Sequence, residues 1–278
     1  MAYKTILVHV DQSRHAPARI RLAAAMAREH DAHLVGAAMT GISRYVFPDG
    51  AWPLPQTLAA SCFDPLYKAA QGALDQFGAL AAPFEVSLEP RLVADQDSDA
   101  LALLARFCDL VVITQDDPAE ALPGQAVRLQ EYVAVNATAP VLVVPVGWTS
   151  TAPPGAVLLA WNGSAAAANA CHAALPQLRR AAAVHLATFD AGPEQRSTTL
   201  AEHAALLEWL ARHGVPAQAH VRAQEADAGD GILALARTLG CDLVVMGCYG
   251  HSRFRELLLG GATRTILRSA AIPVLMAH

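Results

Sequence analysis

Glycines and basic residues near the end of the chain are spaced as in loops that bind anions. Gly247 and Gly250 lie three residues apart, and nine further residues separate Gly250 from Gly260 and Gly261, which precede a helical pattern over 262–269. Glycine lets the backbone approach a ligand closely, and a helix N-terminus offers unpaired N–H groups with a partial positive charge. Three side chains nearby add donors: His251, Arg253 and Arg264. Because glycines also mark ordinary turns, this spacing indicates a phosphate site only where neighbouring elements support it.

The sequence offers little support for catalysis. It contains neither the GxSxG motif of serine hydrolases nor the HExxH motif of zinc peptidases. The five cysteines are scattered and form no CxxC pair: Cys62, Cys108, Cys171, Cys241 and Cys248. We therefore expect no catalytic residues, no disulfide framework and no metal site, and this use of cysteine favours a reducing cytoplasm.

Other polar residues are better explained by structure than by chemistry. His9 lies inside a predicted strand, where a core histidine is more frequent than a general base. Ser13 and Ser164 precede helical patterns and are expected to cap them. Two acidic groups stand where helices begin and suit the helix dipole: Asp95, Asp97 and Asp99, and Asp227 with Asp230.

The elements that must position the glycine loop occur twice. Three landmarks recur in the same order: 4–13 with 155–164, 109–113 with 242–246, and 139–144 with 272–276. A joint rich in proline and glycine lies between the two halves at 147–155. The pattern predicts a duplicated domain, with a first copy over 1–147 and a second over 154–278.

Short apolar runs alternate with helical patterns in each half. Strands are predicted over 157–161, 183–188, 218–221, 242–247 and 273–276. Two apolar stripes at helical spacing lie between them: Leu200, Ala204, Leu207 and Leu210, and Ile232, Leu235 and Leu239. Strands without polar alternation are typical of parallel sheets covered on both faces. The fold class is therefore α/β, as two tandem doubly wound parallel-sheet domains of about five strands each.

The first half carries an insertion over 42–65 that the second half lacks. Aromatic residues alternate there with prolines, a mixture that predicts an irregular flap after the second strand. A surface loop packed on its own aromatic side chains explains it most simply. A lid or a partner surface is the alternative.

Composition excludes several classes of protein. The net charge is −5, with 54% apolar and 16% charged residues, which is typical of a globular chain without an electrostatic footprint for nucleic acid or anionic membranes. Residues 140–178 carry no Asp, Glu, Lys or Arg, but prolines and glycines interrupt them before a membrane span of about 18 residues is reached. No signal-peptide pattern opens the sequence. We expect a cytoplasmic protein with neither nucleic acid nor membrane as a partner.

The whole pattern resembles the tandem members of the universal stress protein (UspA) family. That family carries a motif of Gly, two residues, Gly, nine residues, Gly, then Ser or Thr, with an Asp after the first strand and a closing Pro-Val-Leu strand. Gly247, Gly250 and Gly260 fall at the family spacing. The resemblance implies the fold of adenine nucleotide alpha hydrolase-like (HUP) domains. It also implies ATP or ADP as ligand, the loop holding the phosphates and the first-strand turn contacting the nucleoside.

Carried over by position, the resemblance assigns two sets of binding residues. Asn162 and Gly163 would face the nucleoside. The phosphate loop would comprise Gly247, Gly250, His251, Arg253, Gly260, Gly261, Ala262 and Thr263.

The sequence also departs from the family pattern. Gly261 stands where ATP-binding members have Ser or Thr, and Asn162 stands where they have Asp. One missing hydrogen bond to a charged group costs about 1.5–3 kcal/mol, so binding in the second half would be weak. The first half keeps Asp11 and Ser13 but places two carboxylates within 114–118 and has no glycine motif, so we expect no nucleotide there.

The sequence thus predicts a stress-response regulatory protein with weak ATP or ADP binding in its second domain. The alternative is a scaffold or interaction module of the same fold that binds no nucleotide. An ATP-using enzyme such as a nucleotidyl transferase ranks last. We expect the halves to pair as a pseudo-dimer through 141–144 and 274–276, which would cover two sheet edges. A homodimer and protein partners of unknown identity are compatible with this hypothesis.

Overall fold

The computed structural model describes residues 2–44, 56–120, 128–190, 193–223, 227–249 and 261–278. These residues form two compact units. The N-terminal unit comprises 2–139 and 149–153, and the C-terminal unit comprises 140–148 and 154–278.

The N-terminal unit contains a parallel sheet with helices between its strands. Its elements are β1 (Thr5–His9), α1 (Ala16–His30), β2 (His33–Met39), α2 (Gln56–Ala81), β3 (Leu88–Val93), α3 (Asp97–Leu104), β4 (Leu110–Thr114) and α4 (Leu129–Asn136). Short 3-10 turns follow α2 and α3. The strand order is β3-β2-β1-β4, with Leu7 beside both Val35 and Val111. β1, β2 and β4 are almost wholly buried apolar runs, as a sheet covered on both faces requires.

The C-terminal unit contains a larger sheet of the same kind. Its elements are β5 (Val141–Val144), β6 (Ala156–Ala160), α5 (Ala165–Leu178), β7 (Ala183–Asp190), α6 (Pro193–Arg212), β8 (Gln218–Ala223), α7 (Ala228–Thr238), β9 (Leu243–Gly247), α8 (Ala262–Ser269) and β10 (Val274–Ala277). The strand order is β5-β10-β9-β6-β7-β8, and the pairs from β10 to β8 are parallel. All five strands predicted for the second half are confirmed within a few residues at either end.

β5 pairs with β10 in the antiparallel direction. Val143 lies beside Val274, and Val141 lies beside Met276. All four residues are buried. The predicted pairing of these two strands is therefore confirmed, and β5 belongs to the C-terminal unit although it ends the first sequence repeat.

Each sheet reverses its strand order beside its first strand. In the C-terminal unit β6 lies between β9 and β7, and in the N-terminal unit β1 lies between β4 and β2. Ligands of doubly wound sheets bind at such points, outside the carboxyl ends of the strands. In the C-terminal unit, the loops after β6 and β9 lie at this point.

Two helical expectations need correction. The predicted flap over 42–65 is wrong for 56–65, which belong to α2, with Pro65 inside the helix; positions 45–55 lie outside the described residues. Phe77 is fully buried in the space above Gly36, where an added Cβ would approach its ring to 2.6 Å. This packing stabilises the 26-residue helix enough to offset the backbone hydrogen bond that is lost at Pro65.

The predicted apolar stripe of α6 has the wrong phase. The prediction is confirmed at Leu210, which is buried, but Leu200 is 53% exposed and Ala204 is exposed. His203 and Leu206 are buried in their place. His203, a polar residue on the buried face of α6, interrupts the apolar spacing from which the stripe was predicted. No described helix combines the length and the apolar composition that crossing a lipid bilayer requires.

Candidate functional site

The turn after β6 is built by two side chains. Asn162 Oδ1 accepts from the Ser164 backbone N–H at 3.2 Å and from the Ser164 hydroxyl at 2.7 Å. The Ser164 Oγ accepts in turn from Ala167 N at 3.2 Å, which confirms the predicted helix cap on α5. Gly163 has φ of 72°, a left-handed conformation that suits glycine. Because this turn uses the Asn162 carbonyl oxygen, the side chain's own donor to a ligand is its amide nitrogen.

A carboxylate from α6 lies against the same turn. Glu202 Oε2 accepts from Trp161 Nε1 at 3.3 Å. A Cβ added at Gly163 would stand 3.1 Å from the same oxygen, so the glycine also leaves space for the carboxylate. Sequence spacing alone does not reveal Glu202, because it lies about 40 positions along the chain from the turn that it contacts.

A buried histidine fixes α6 over this turn. The Thr188 hydroxyl donates to the Trp161 carbonyl oxygen at 3.0 Å and lies 2.6 Å from His203 Nε2. A hydroxyl has one proton, so Thr188 accepts from His203 Nε2–H, which leaves Nδ1 unprotonated. Burial lowers the pKa of His203, although the nearby Glu202 opposes the shift. The neutral His203 side chain thus links α6 to Thr188 on β7, and through Thr188 to the Trp161 carbonyl oxygen.

Gly247, at the end of β9, packs directly against α5. A Cβ on Gly247 would stand 2.4 Å from Ala167 N and 2.5 Å from the carbonyl carbon of Ala166. Real Cβ atoms do not approach backbone so closely, so only glycine fits between the strand and the helix. The first glycine of the motif therefore has a packing role, whatever ligand the loop holds.

The start of α8 presents backbone groups near the exit of β9. Gly261 is its N-cap residue, and no side chain in the described part of the chain caps the helix. Thr263 is 3% exposed, and its Oγ1 accepts from Tyr249 N at 3.4 Å. Ala262 is half-buried. Thr263 thus ties the exit of β9 to the first turn of α8, while the remaining predicted loop residues lie outside the described residues: Gly250, His251, Arg253 and Gly260.

The corresponding turn of the N-terminal unit has the same shape and different surroundings. Asp11 Oδ1 accepts from the Ser13 N–H at 3.0 Å and from its hydroxyl at 2.7 Å. Ser13 does not cap α1, since the N-cap residue is His15 and no side chain among the described residues caps this helix. The predicted capping role of Ser13 is wrong.

Arg19 fills the space beside this turn. Its side chain is almost fully buried and donates to His9 O at 2.8 Å, to Asp11 Oδ1 at 3.0 Å and to Thr114 Oγ1 at 2.5 Å. Burial alone would raise the pKa of Asp11, but Arg19, His9 and the Ser13 donors hold it well below its ordinary value. An internal guanidinium thus neutralises the family's acidic position in this unit.

His9 is a buried histidine, as predicted. Its Nδ1 lies 3.6 Å from Asp11 Oδ2, and its Nε2 lies 3.8 Å from Asp97 Oδ2. Burial lowers its pKa, against the two carboxylates, which favour the charged form. Asp97 stands in the first turn of α3, as the acidic pattern predicts, and Asp227 caps α7 by accepting from Gly229 N at 2.6 Å.

Two carboxylates after β4, those of Asp117 and Glu120, are already paired. Asp117 lies 2.7 Å from His15 Nε2 and forms an ion pair with Arg14. Arg14 N also donates to Glu120 Oε1 at 3.2 Å. Candidate metal-ligand atoms of His15, Asp117 and Glu120 lie within 4.8 Å of one another. Since Arg14 supplies the positive charge within this cluster, it is best described as an ion-pair network.

Comparison with known proteins agrees with this architecture. Residues 155–278 match the universal stress protein family. A universal stress protein of Synechocystis is 53% identical over 34 residues, a stretch that covers only 12% of this chain and 12% of that protein.

Two solved structures share the fold over nearly the whole chain. A universal stress protein from Archaeoglobus fulgidus superimposes with a TM-score of 0.73 at 14% identity, covering 98% of this chain and 97% of that one. A functionally unknown protein from Pseudomonas aeruginosa PAO1 superimposes with a TM-score of 0.59 at 17% identity, covering 99% and 92%. At these identities the likeness shows the fold alone.

Proposed function

Residues 155–278 belong to the universal stress protein family, and from that premise we propose that the chain is a cytoplasmic stress-response regulator that binds ATP or ADP weakly in its C-terminal unit. The observation that carries this proposal is the pair of turns at one edge of the sheet. The Asn162–Gly163 turn follows β6, and the N-terminus of α8, without a side-chain cap in the described region, follows β9. β6 and β9 are adjacent parallel strands, so their carboxyl ends meet at this edge.

The residues at this edge suit different parts of a nucleotide. Unpaired N–H groups of the α8 N-terminus attract phosphate, and glycine at 261 leaves them accessible. Asn162 offers its amide to the nucleoside. Glu202 places a carboxylate beside Gly163 and so supplies the negative charge that Asn162 lacks. A carboxylate at this position suits the sugar hydroxyls, which donate hydrogen bonds to it.

The N-terminal unit would not share this activity. Arg19 occupies the space beside its first turn, and the residues after β4 include Asp116 and Asp117 and form no glycine motif. Carboxylates repel phosphate. We therefore assign one nucleotide to each chain, and binding and release rather than turnover as its role.

Isothermal titration of the full chain with ATP, and with 2′-deoxy-ATP, tests the proposal. We expect a single weak site that Gly250→Val abolishes and that Gly78→Val retains, since Gly78 lies in α2 with open space around its Cα. Glu202→Gln should weaken ATP several-fold more than the deoxy nucleotide, whereas Glu208→Gln on the exposed side of the same helix should change neither. Unchanged ATP affinity in a folded Gly250→Val variant would contradict the proposal.

The alternative function is a scaffold that binds no nucleotide, and one observation favours it. Gly247 and Thr263, two residues of the predicted loop, are both engaged in packing or in a hydrogen bond within the protein. On that hypothesis the motif closes the sheet edge around α5 and α8. A thermal scan with millimolar ATP distinguishes the two: a raised melting temperature supports binding, and an unchanged one favours the scaffold.

A further inference from the structure

Two histidines face each other on adjacent strands at the far side of the C-terminal sheet. His185 lies on β7 and His220 on β8, the last strand in the order of that sheet. His185 Nδ1 and His220 Nε2 are 3.1 Å apart, and the ring centroids are separated by 5.1 Å with planes inclined at 52°. Both side chains are half-buried. We call these two residues the histidine pair.

The separation of the two nitrogens suits joint coordination of one metal ion. Metal–imidazole bonds of about 2.0–2.1 Å that span 3.1 Å enclose an angle of about 100° at the metal. That angle lies between the 90° of square-planar or octahedral geometry and the 109° of tetrahedral geometry. We propose that the histidine pair binds a divalent transition-metal ion, Cu²⁺ or Zn²⁺, through these two nitrogens, with water completing its coordination.

The strands hold the pair in place before any metal binds. His185 lies in register with Gln218, and His220 lies in register with Ala187, so the histidines occupy diagonal positions of a parallel ladder. Their backbones are fixed by the hydrogen bonds of β7 and β8. The two nitrogens are hydrogen-bonded to each other, so coordination replaces this bond and each ring turns until both lone pairs converge on the metal.

Charges and ligand types around the pair narrow the choice of metal. The Arg222 cation lies two positions from His220 on the same strand. Within the described parts of the chain, no third histidine, cysteine or carboxylate joins this pair as a ligand group. Two imidazoles without carboxylates suit copper and zinc and do not suit Mg²⁺ or Ca²⁺. Arg222 repels a cation, so we expect moderate affinity.

The sequence could not reveal this site. The two histidines are 35 positions apart and lie in different strands, so they match none of the short motifs by which metal sites are recognised. The pair becomes visible only once β7 and β8 are placed side by side. The proposal is independent of nucleotide binding, because it uses none of the residues assigned to that site.

Titration of the full chain with CuCl₂, followed by calorimetry and pulsed electron paramagnetic resonance, tests the proposal. The expected result is one equivalent bound with moderate affinity, whose spectrum counts two imidazole nitrogens. His185→Gln and His220→Gln should each weaken this step at least tenfold. His172→Gln, which removes an exposed histidine whose ring centroid lies 4.5 Å from that of Trp209, should leave it unchanged.

Two results would overturn the proposal. One is unchanged Cu²⁺ affinity in a folded His220→Gln variant. The other is a wild-type spectrum with a single coordinated imidazole, a measurement that does not depend on whether the variants fold.

Discussion

The two units build the same turn after their first strand and surround it differently. In both, an Asx oxygen binds the N–H and the hydroxyl of a serine two residues later. Eight residues beyond the turn, the N-terminal unit has the buried Arg19 and the C-terminal unit has the buried Ala170. The fourth strand of each half ends at Thr114 in one unit and at Gly247 in the other.

This difference decides what each sheet edge can hold. In the N-terminal unit the Arg19 guanidinium fills the space between the strand ends and forms an ion pair with the Asp11 carboxylate. In the C-terminal unit small residues let α5 close onto β9, and the turn remains next to Glu202. A shared turn therefore does not imply a shared ligand, because the residues behind it differ.

Removing the buried cation should have the largest effect. Arg19→Met leaves Asp11 without its partner and should destabilise the protein by about 3–5 kcal/mol, as breaking buried ion pairs does. Adding Asp11→Asn, which reproduces the neutral turn of the other unit, should recover part of that loss. Urea unfolding followed by circular dichroism measures both variants. A double variant no more stable than Arg19→Met would show that the charge of Asp11 is not what Arg19 compensates.

Adding a side chain at Gly247 should have the next largest effect on stability. Gly247→Val forces backbone apart between β9 and α5 and should cost about 3 kcal/mol, at the upper end for overpacked sites. Thr114→Val at the matching strand end loses one hydrogen bond from the Arg19 guanidinium, which keeps His9 O and Asp11 as acceptors, and should cost about 1.5 kcal/mol. Denaturant midpoints of the two variants compare them directly. Equal losses would indicate that α5 can move away from β9.

Much of the fold is predictable from the sequence, for local reasons. Apolar runs such as Val157–Ala160 and Leu243–Met246 are strands without alternation, and the Asx–x–Ser turn repeats at a fixed place after β1 and β6. Those signals depend only on neighbours in the chain. They sufficed for the strand list of the second half. They also predict the repeat and the candidate edge.

The missed features depend on contacts between distant segments. Arg19 resembles a solvent-facing helix residue until Asp11 and Thr114 are placed around it. His203 interrupts the apolar period of α6 because its partner, Thr188, lies on another element. Glu202 is a candidate binding residue only because it contacts Trp161, which lies on a distant segment of the chain. Polar residues that are buried through tertiary partners carry no periodic signal.

Lowering the pH should change the stability of the protein less than either substitution above. The residue that sets this change shows which unit titrates. Burial keeps the folded-state pKa of His203 below its ordinary value of about 6.5. As pH falls through about 6.5, the unfolded chain therefore binds a proton before the folded one, and stability decreases. We expect His203→Gln to reduce the loss between pH 7.5 and 5.5 measured by urea unfolding, while His172→Gln should not. An unchanged loss in His203→Gln would show that His203 does not set the acid response and would leave His9 and His220, whose pKa values burial also lowers, as its source.

The antiparallel pair of β5 and β10 also constrains how the chain reaches its native state. Val143 pairs with Val274, 131 positions further along the chain. During synthesis β5 leaves the ribosome long before its partner exists, so the C-terminal unit can complete its sheet only when β10 has been made. Contacts of such long sequence separation form slowly, because the loop between them must close first. We therefore expect the N-terminal unit to fold early and the C-terminal unit to complete last.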